Sequence, residues 1–134
     1  MLRAVVDTNV LVSALIGTGK PRELWKTAVE RKFTIIISKE MLVEFLDVVE
    51  RRKFVDIRRN SLERFVTQLI RISTMTSIKS SYRAVPEDPD DDIVINTAYD
   101  GNADYIVTGD FHLLRIGRFR DIKIISIDTF LKLF

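Results

Sequence analysis

Tyr105-Ile106-Val107-Thr108-Gly109-Asp110 is a short apolar run that closes on a carboxylate. Continuous apolar residues, rather than alternating ones, mark a strand covered on both faces, as in a parallel sheet flanked by helices. The same pattern opens the chain in Arg3-Ala4-Val5-Val6-Asp7. An unpaired carboxylate at the edge of an apolar sheet is costly to bury, and a bound divalent cation would offset that cost. Two strands that end in aspartate therefore predict an α/β fold with a cation at one edge of its sheet.

Working outward, Thr34-Ile35-Ile36-Ile37 and Ile122-Lys123-Ile124-Ile125 read as further buried strands, and Ser73 to Ile78 as a weaker fifth. Helical spacing fills the gaps: Val10 to Leu15; a segment from Pro21 carrying Leu24, Trp25, Ala28 and Val29; and Lys39 to Lys53, expected to bury Met41, Leu42, Phe45, Leu46, Val48 and Val49. In residues 60–72, Asn60 and Glu63 have the spacing of a capping box, with Leu62, Phe65, Val66, Leu69 and Ile70 as the core stripe. Residues 89–100 form a helix with Asp88 as cap, Pro89 in its first position and Gly101 at its end. A short helix from Asp128 to Leu133 is expected last. Strands alternating with helices imply right-handed crossovers and a three-layer α/β/α sandwich around a mostly parallel sheet of about five strands.

The 134 residues suit one domain spanning 1–134. Hydrophobic residues make up 46% and charged residues 30%, the balance of a globular chain rather than a disordered one. The formal net charge of +2 is compatible with a nucleic-acid partner without demanding one. The absence of cysteine excludes disulfides, thiolate zinc sites and a cysteine nucleophile. No apolar stretch is long enough for a transmembrane helix, and no signal-peptide pattern precedes the first strand, so a cytoplasmic protein without membrane association is expected.

Asp7 and Asp110 stand at the carboxyl ends of strands, where open parallel sheets bind their ligands. Glu44 joins them by its place on the shoulder of an apolar helical stripe centred near Phe45 and Val49, while Glu40, Asp47 and Glu50 point further out. Among Asp88, Asp90, Asp91 and Asp92, the first residues suit capping and the helix dipole. Asp92, one turn before Asn96, is the one expected to lean into the sheet edge. Several carboxylates in one pocket resist ionisation unless a cation joins them. Oxygen ligands without His or Cys favour Mg²⁺ or Mn²⁺ over zinc. Such ions acidify bound water and polarise phosphoryl oxygens, which suits phosphodiester hydrolysis.

The segments Val6-Asp7-Thr8-Asn9-Val10-Leu11, Asp92-Ile93-Val94-Ile95-Asn96-Thr97-Ala98 and Ala103 to Asp110 resemble the PIN domain, in the branch of VapC-like toxins of toxin–antitoxin pairs. The resemblance runs through essentially the whole chain. It implies a Mg²⁺- or Mn²⁺-dependent ribonuclease whose acidic quartet falls on Asp7, Glu44, Asp92 and Asp110, with Thr8, Asn9 and Thr108 as polar support. It also implies an RNA substrate, a homodimer and a cognate antitoxin. Many members carry a further acid two positions after the last aspartate. Here His112 stands there, read as a helix-start residue, which leaves a second metal site in doubt.

Two other functions compete. A haloacid-dehalogenase-like phosphatase also opens on a strand ending in aspartate, but it needs a second aspartate two residues on, where this chain has Asn9. A catalytically silent PIN-like module binding RNA or protein would have no need of the acidic quartet. Gly17-Thr18-Gly19-Lys20 lacks the spacing of a phosphate loop and reads as a turn, with Lys20 and Arg22 near RNA. Arg51-Arg52-Lys53 offers charge for phosphate contacts, Arg51 and Arg52 being the candidates. Trp25 and Phe45 read as core, and no aromatic platform for unpaired bases stands out.

Overall fold

The computed structural model describes residues 1–51 and 58–134. In chain order the elements are β1 (Arg3–Val6), α1 (Thr8–Ile16), α2 (Lys20–Val29), β2 (Thr34–Ser38), α3 (Lys39–Arg51), α4 (Arg59–Ile72), β3 (Ser73–Thr76), α5 (Pro89–Asp100), β4 (Tyr105–Val107), α6 (Phe111–Ile116), β5 (Arg118–Phe119), β6 (Ile122–Ile125) and α7 (Ile127–Leu131). One sheet runs in the order β3-β2-β1-β4-β6-β5, parallel throughout except for the β5–β6 pair. The five expected strands are present, and the two-residue β5 adds an antiparallel sixth at the edge.

The strand order reverses direction at β1. Right-handed crossovers then place α1 to α4 over one face and α5 and α6 over the other. Contacts agree: α5 packs on β1, β2 and β4, while α3 lies on β2 and α4 on β3. The β-branched runs of the central strands face helices on both sides, and Ala4, Val5, Val6, Ile36, Ile37, Ile106 and Val107 are all buried. Each fully buried side chain of this size contributes about 1.5–3 kcal/mol over its exposed state.

Aromatic stacking joins the helices of the first face. Trp25 of α2 stacks on Phe65 of α4 at 4.1 Å, and Phe65 on Phe45 of α3 at 5.7 Å, so Trp25 and Phe45 are core as their stripes implied. Leu46 and Ile70 are instead exposed, each at the outer margin of its stripe. The capping box of α4 does not form. The helix starts at Arg59 with Arg58 in the cap position and no side-chain cap, and Glu63 pairs with Arg59. At the other end of the sheet, Phe130 of α7 packs against Phe33 and Tyr105.

The end of α5 approaches β2 closely. A Cβ at Gly101 would stand 2.3 Å from Ile36 Cγ2 and 2.9 Å from the Thr97 carbonyl oxygen. Only glycine allows this contact, and it seats α5 so that its opposite end, with its acidic first turn, reaches the carboxyl edge of the sheet.

Candidate metal centre

Register builds the first half of the site. Val6 pairs with Val107, so Asp7 and Thr108 emerge side by side at the carboxyl ends of β1 and β4, at the point where strand order reverses. This is where ligands of open α/β sheets bind. The amide of Asp7 donates to the Val107 carbonyl at 3.0 Å, closing the ladder. The hydroxyl of Thr108 then donates to Asp7 Oδ2 at 2.6 Å and accepts from the Asp110 amide at 3.0 Å. Thr108, fully buried, spends its single proton on Asp7 and uses its oxygen to set the backbone of Asp110.

Asp110 caps α6: its Oδ1 accepts from the His112 amide at 2.6 Å, and its second oxygen is available to the site. His112 is thus a helix-start residue through its backbone. Its ring nitrogen Nδ1 is buried without a hydrogen-bond partner. Asp7 sits at the start of α1, where the amides of Thr8 and Asn9 favour its charged form. Burial is the stronger influence and pushes its carboxyl above the ordinary aspartate value. The support expected from Thr8 and Asn9 is therefore backbone support: the Thr8 hydroxyl is buried without a partner, and Asn9 is exposed.

The third contribution comes from α5 and differs from the sequence expectation. Asp92 is engaged with the segment that precedes α5, its Oδ1 accepting from the Val85 amide at 2.8 Å. Asp91 is the buried acid of this turn. Asp88, Asp91 and Asp110 each bring a carboxylate oxygen within 4.8 Å of the others. One oxygen of Asp91, Oδ2, is buried with no hydrogen-bond donor among the described residues. Burial, then the fields of Asp110, Asp88 and Asp7, lift the Asp91 carboxyl to about 7.

Asp92 has a structural role that a spacing of four residues makes visible. Asp92, Asn96 and Asp100 line one face of α5 and hold the segment 79–85 against it. Asp100 Oδ2 accepts from the amides of Lys79 and Ser80 at 2.7 and 2.9 Å. Asn96 accepts from the Tyr82 amide at 2.9 Å and donates to the Tyr82 carbonyl at 3.0 Å. Asp92 takes the Val85 amide, and three residues later Asp88 caps α5, its Oδ1 accepting from the Asp90 amide at 3.0 Å. The strap thus ends at the residue that enters the cluster.

Glu44 lies at the margin of the cluster, half-buried on α3. Burial, followed by the fields of Asp90, Asp7 and Asp88, raises it to about 7, while Arg51 draws it down. A groove of 510 Å³ between α3 and α5 runs past it, with Asp47, Arg51, Asp90 and Ile93 among its walls. Of the described cations expected near substrate, Arg51 is the one that lines this groove. Lys20 is paired with Asp128 at 3.2 Å, and Arg22 donates to the Ala14 carbonyl at 2.8 Å, so both tie α2 to its neighbours. Arg52 and Lys53 lie outside the described residues.

The donor set fits a hard divalent cation such as Mg²⁺ or Mn²⁺. It consists of Asp88 and Asp91 at the start of α5, Asp110 at the start of α6 and Asp7 at the end of β1, one of them with a buried oxygen that no donor among the described residues satisfies. Among the described residues, no helix is long and apolar enough to cross a membrane.

Comparison with known proteins agrees with this architecture. A family profile described as the PIN domain matches residues 3–112. No curated protein sequence matches the chain. Among solved structures, VapBC2 from Rickettsia felis, crystallised with a DNA fragment from its promoter, superposes with a TM-score of 0.66 at 16% identity, covering 93% of this chain and 98% of that one. PAE2754 from Pyrobaculum aerophilum gives a TM-score of 0.67 at 14% identity, covering 98% of this chain and 88% of that one.

Proposed function

The chain belongs to the PIN domain family, and from that premise we propose that it is a Mg²⁺- or Mn²⁺-dependent endoribonuclease, the toxin of a toxin–antitoxin pair. The observation that carries this reading is the gathering of Asp7, Asp88, Asp91 and Asp110 at the switch point of the sheet, with an Asp91 oxygen buried and unsatisfied. Capping accounts for one oxygen each of Asp88 and Asp110, but not for bringing them within 4.8 Å of Asp91 beside Asp7, a repulsion that a cation relieves.

Asp7, Asp91 and Asp110 are the residues assigned to hold the ion, with Asp88 beside them. When bound, a divalent cation supplies Lewis acidity toward a phosphoryl oxygen and acidifies water for attack on phosphorus. The protein's own contribution is orientation. Thr108 fixes the Asp7 carboxylate and the Asp110 backbone in one relation, and the Asp110 cap on α6 sets the angle of its carboxylate. Glu44, raised to about 7 and standing outside the cluster, is suited to accept the proton of the attacking water at its carboxylate. Arg51, at the same margin, is suited to a backbone phosphate. The likeness to VapBC2 supports a cognate antitoxin as partner, and a homodimer is proposed with it.

The test is cleavage of total cellular RNA in Mn²⁺ by wild type, Asp7→Asn and Asp91→Asn, with and without chelator. Cleavage by wild type alone, lost with chelator, is the expected result. Equal, chelator-resistant cleavage by all three would show a contaminant and remove the support for a nuclease.

A further inference from the structure

Phe111, the residue after Asp110 and the first of α6, is 70% exposed. Among large hydrophobic residues described, only the terminal Met1 is more exposed. No other large apolar side chain between residues 108 and 120 is exposed, so along its own helix and the strand that follows the ring stands alone. Its surroundings are polar and charged. The Arg115 guanidinium, one turn on, lies 5.8 Å from the ring centroid, and the His112 ring stands at 6.1 Å. Arg115 is in turn held by an ion pair with Glu87, in the turn that leads to Asp88. The ring is thus supported from two elements that also supply carboxylates to the cluster.

A protein-docking surface would be expected to present a contiguous apolar patch, and a lone ring among charges does not. An unpaired nucleobase matches it better, because bases stack on single aromatic rings and the neighbouring backbone carries negative charge complementary to the Arg115 guanidinium beside the ring. We propose that Phe111 stacks a base of single-stranded RNA beside the phosphodiester at the acidic cluster. This rests on the nuclease reading of that cluster and adds a preference to it. Every base has a π face, so Phe111 selects unpaired over paired RNA without selecting a sequence.

The test measures binding, so it needs no turnover. A single-stranded oligomer with bridging methylenephosphonate linkages, whose P–C bonds water attack does not cleave, its duplex and a base-free oligomer of the same backbone are titrated in Mn²⁺ against wild type, Phe111→Ala, Phe111→Trp and Ile70→Ala. Phe111→Ala is expected to bind the single strand about tenfold more weakly than wild type and the base-free oligomer equally well. Phe111→Trp should bind as wild type does, with its indole emission quenched by the single strand and not by the base-free oligomer; Trp25, the native indole, is buried and supplies a constant background. Ile70→Ala, which removes an exposed apolar side chain on α4, should behave as wild type.

Equal single-strand affinity of wild type and Phe111→Ala would overturn the proposal, as would an equal loss on the base-free oligomer. Failure of wild type to bind any of the oligomers would overturn both this proposal and the nuclease reading, whereas RNA cleavage with no effect of Phe111→Ala would remove stacking alone. If Phe111→Ala dispersed a dimer in sedimentation and left RNA affinity unchanged, the ring would be a contact between copies, and the proposal would fall.

Discussion

Thr108 is the smallest side chain at the centre and the one whose geometry leaves least freedom. Its hydroxyl joins two carboxylate-bearing residues on two strand ends, one by donating and one by accepting. Thr108→Val keeps shape and burial but removes both bonds. It strands a buried Asp7 oxygen and the Asp110 amide, at a cost of about 1–3 kcal/mol for each unsatisfied group. Chemical denaturation should show that loss, and Mn²⁺ affinity should fall with it; unchanged stability would mean that the 2.6 Å contact carries no net energy. Which residues would gather was only partly legible at this scale. Asp7 and Asp110 were readable because each ends an apolar run. Asp92 was preferred to Asp91 on depth along the helix, but one residue is about 100° of rotation, enough to turn a carboxylate from the sheet edge to the strap. The spacing of Asp92, Asn96 and Asp100 held the signal that was missed. Phe111 left no pattern to read, since one exposed aromatic in a sequence looks like any core aromatic.

At the scale of elements, α5 carries the site on its first turn and the strap on its side. Asn96 is the middle peg, bonded to both backbone groups of Tyr82 and accepting from the Ser80 hydroxyl at 2.7 Å. Asn96→Ala is expected to destabilise the fold by about 2–4 kcal/mol, since several buried polar groups lose partners together. Hydrogen exchange should show the Tyr82 and Val85 amides losing protection while those of β1 and β4 keep it. Equal loss in the central strands would mean that the strap is not a separate unit. Most of these elements were legible. Continuous β-branched runs marked the inner strands, and Asp88, Pro89 and Gly101 bounded α5 as found. The element not foreseen is β5, with two residues and no periodicity; α6 was legible only as a helix start at His112, its six residues being too few for a helical stripe. The capping box at Asn60 was a chance match, overridden when α4 began one residue earlier with Arg59 paired to Glu63.

For the whole molecule, gathering acids at one edge ties stability to pH and to cations. Glu44 and Asp91 are both raised to about 7, so between the ordinary carboxylate range and neutrality the folded chain holds more protons than the unfolded chain. Their contribution is fully present below about pH 4 and is lost as pH rises through about 7. Asp100, half-buried, and Glu87, exposed and so weakened by solvent, are lowered and act in the opposite sense at more acidic pH. Without divalent cations, the Tm should therefore fall between about pH 5 and about pH 8, and Mn²⁺ should restore more at the higher pH, where fewer protons compete with it. A Tm that rises across this interval in chelator would contradict the arrangement. The central claim, that this edge is a cation site built on Asp91 and not on Asp92, is tested most directly by calorimetric titration of Mn²⁺ into wild type, Asp91→Asn and Asp92→Asn at about pH 8, where both raised carboxyls are ionised. Binding by wild type and Asp92→Asn, with heat abolished in Asp91→Asn, is the predicted result; loss in Asp92→Asn with binding retained in Asp91→Asn would contradict it.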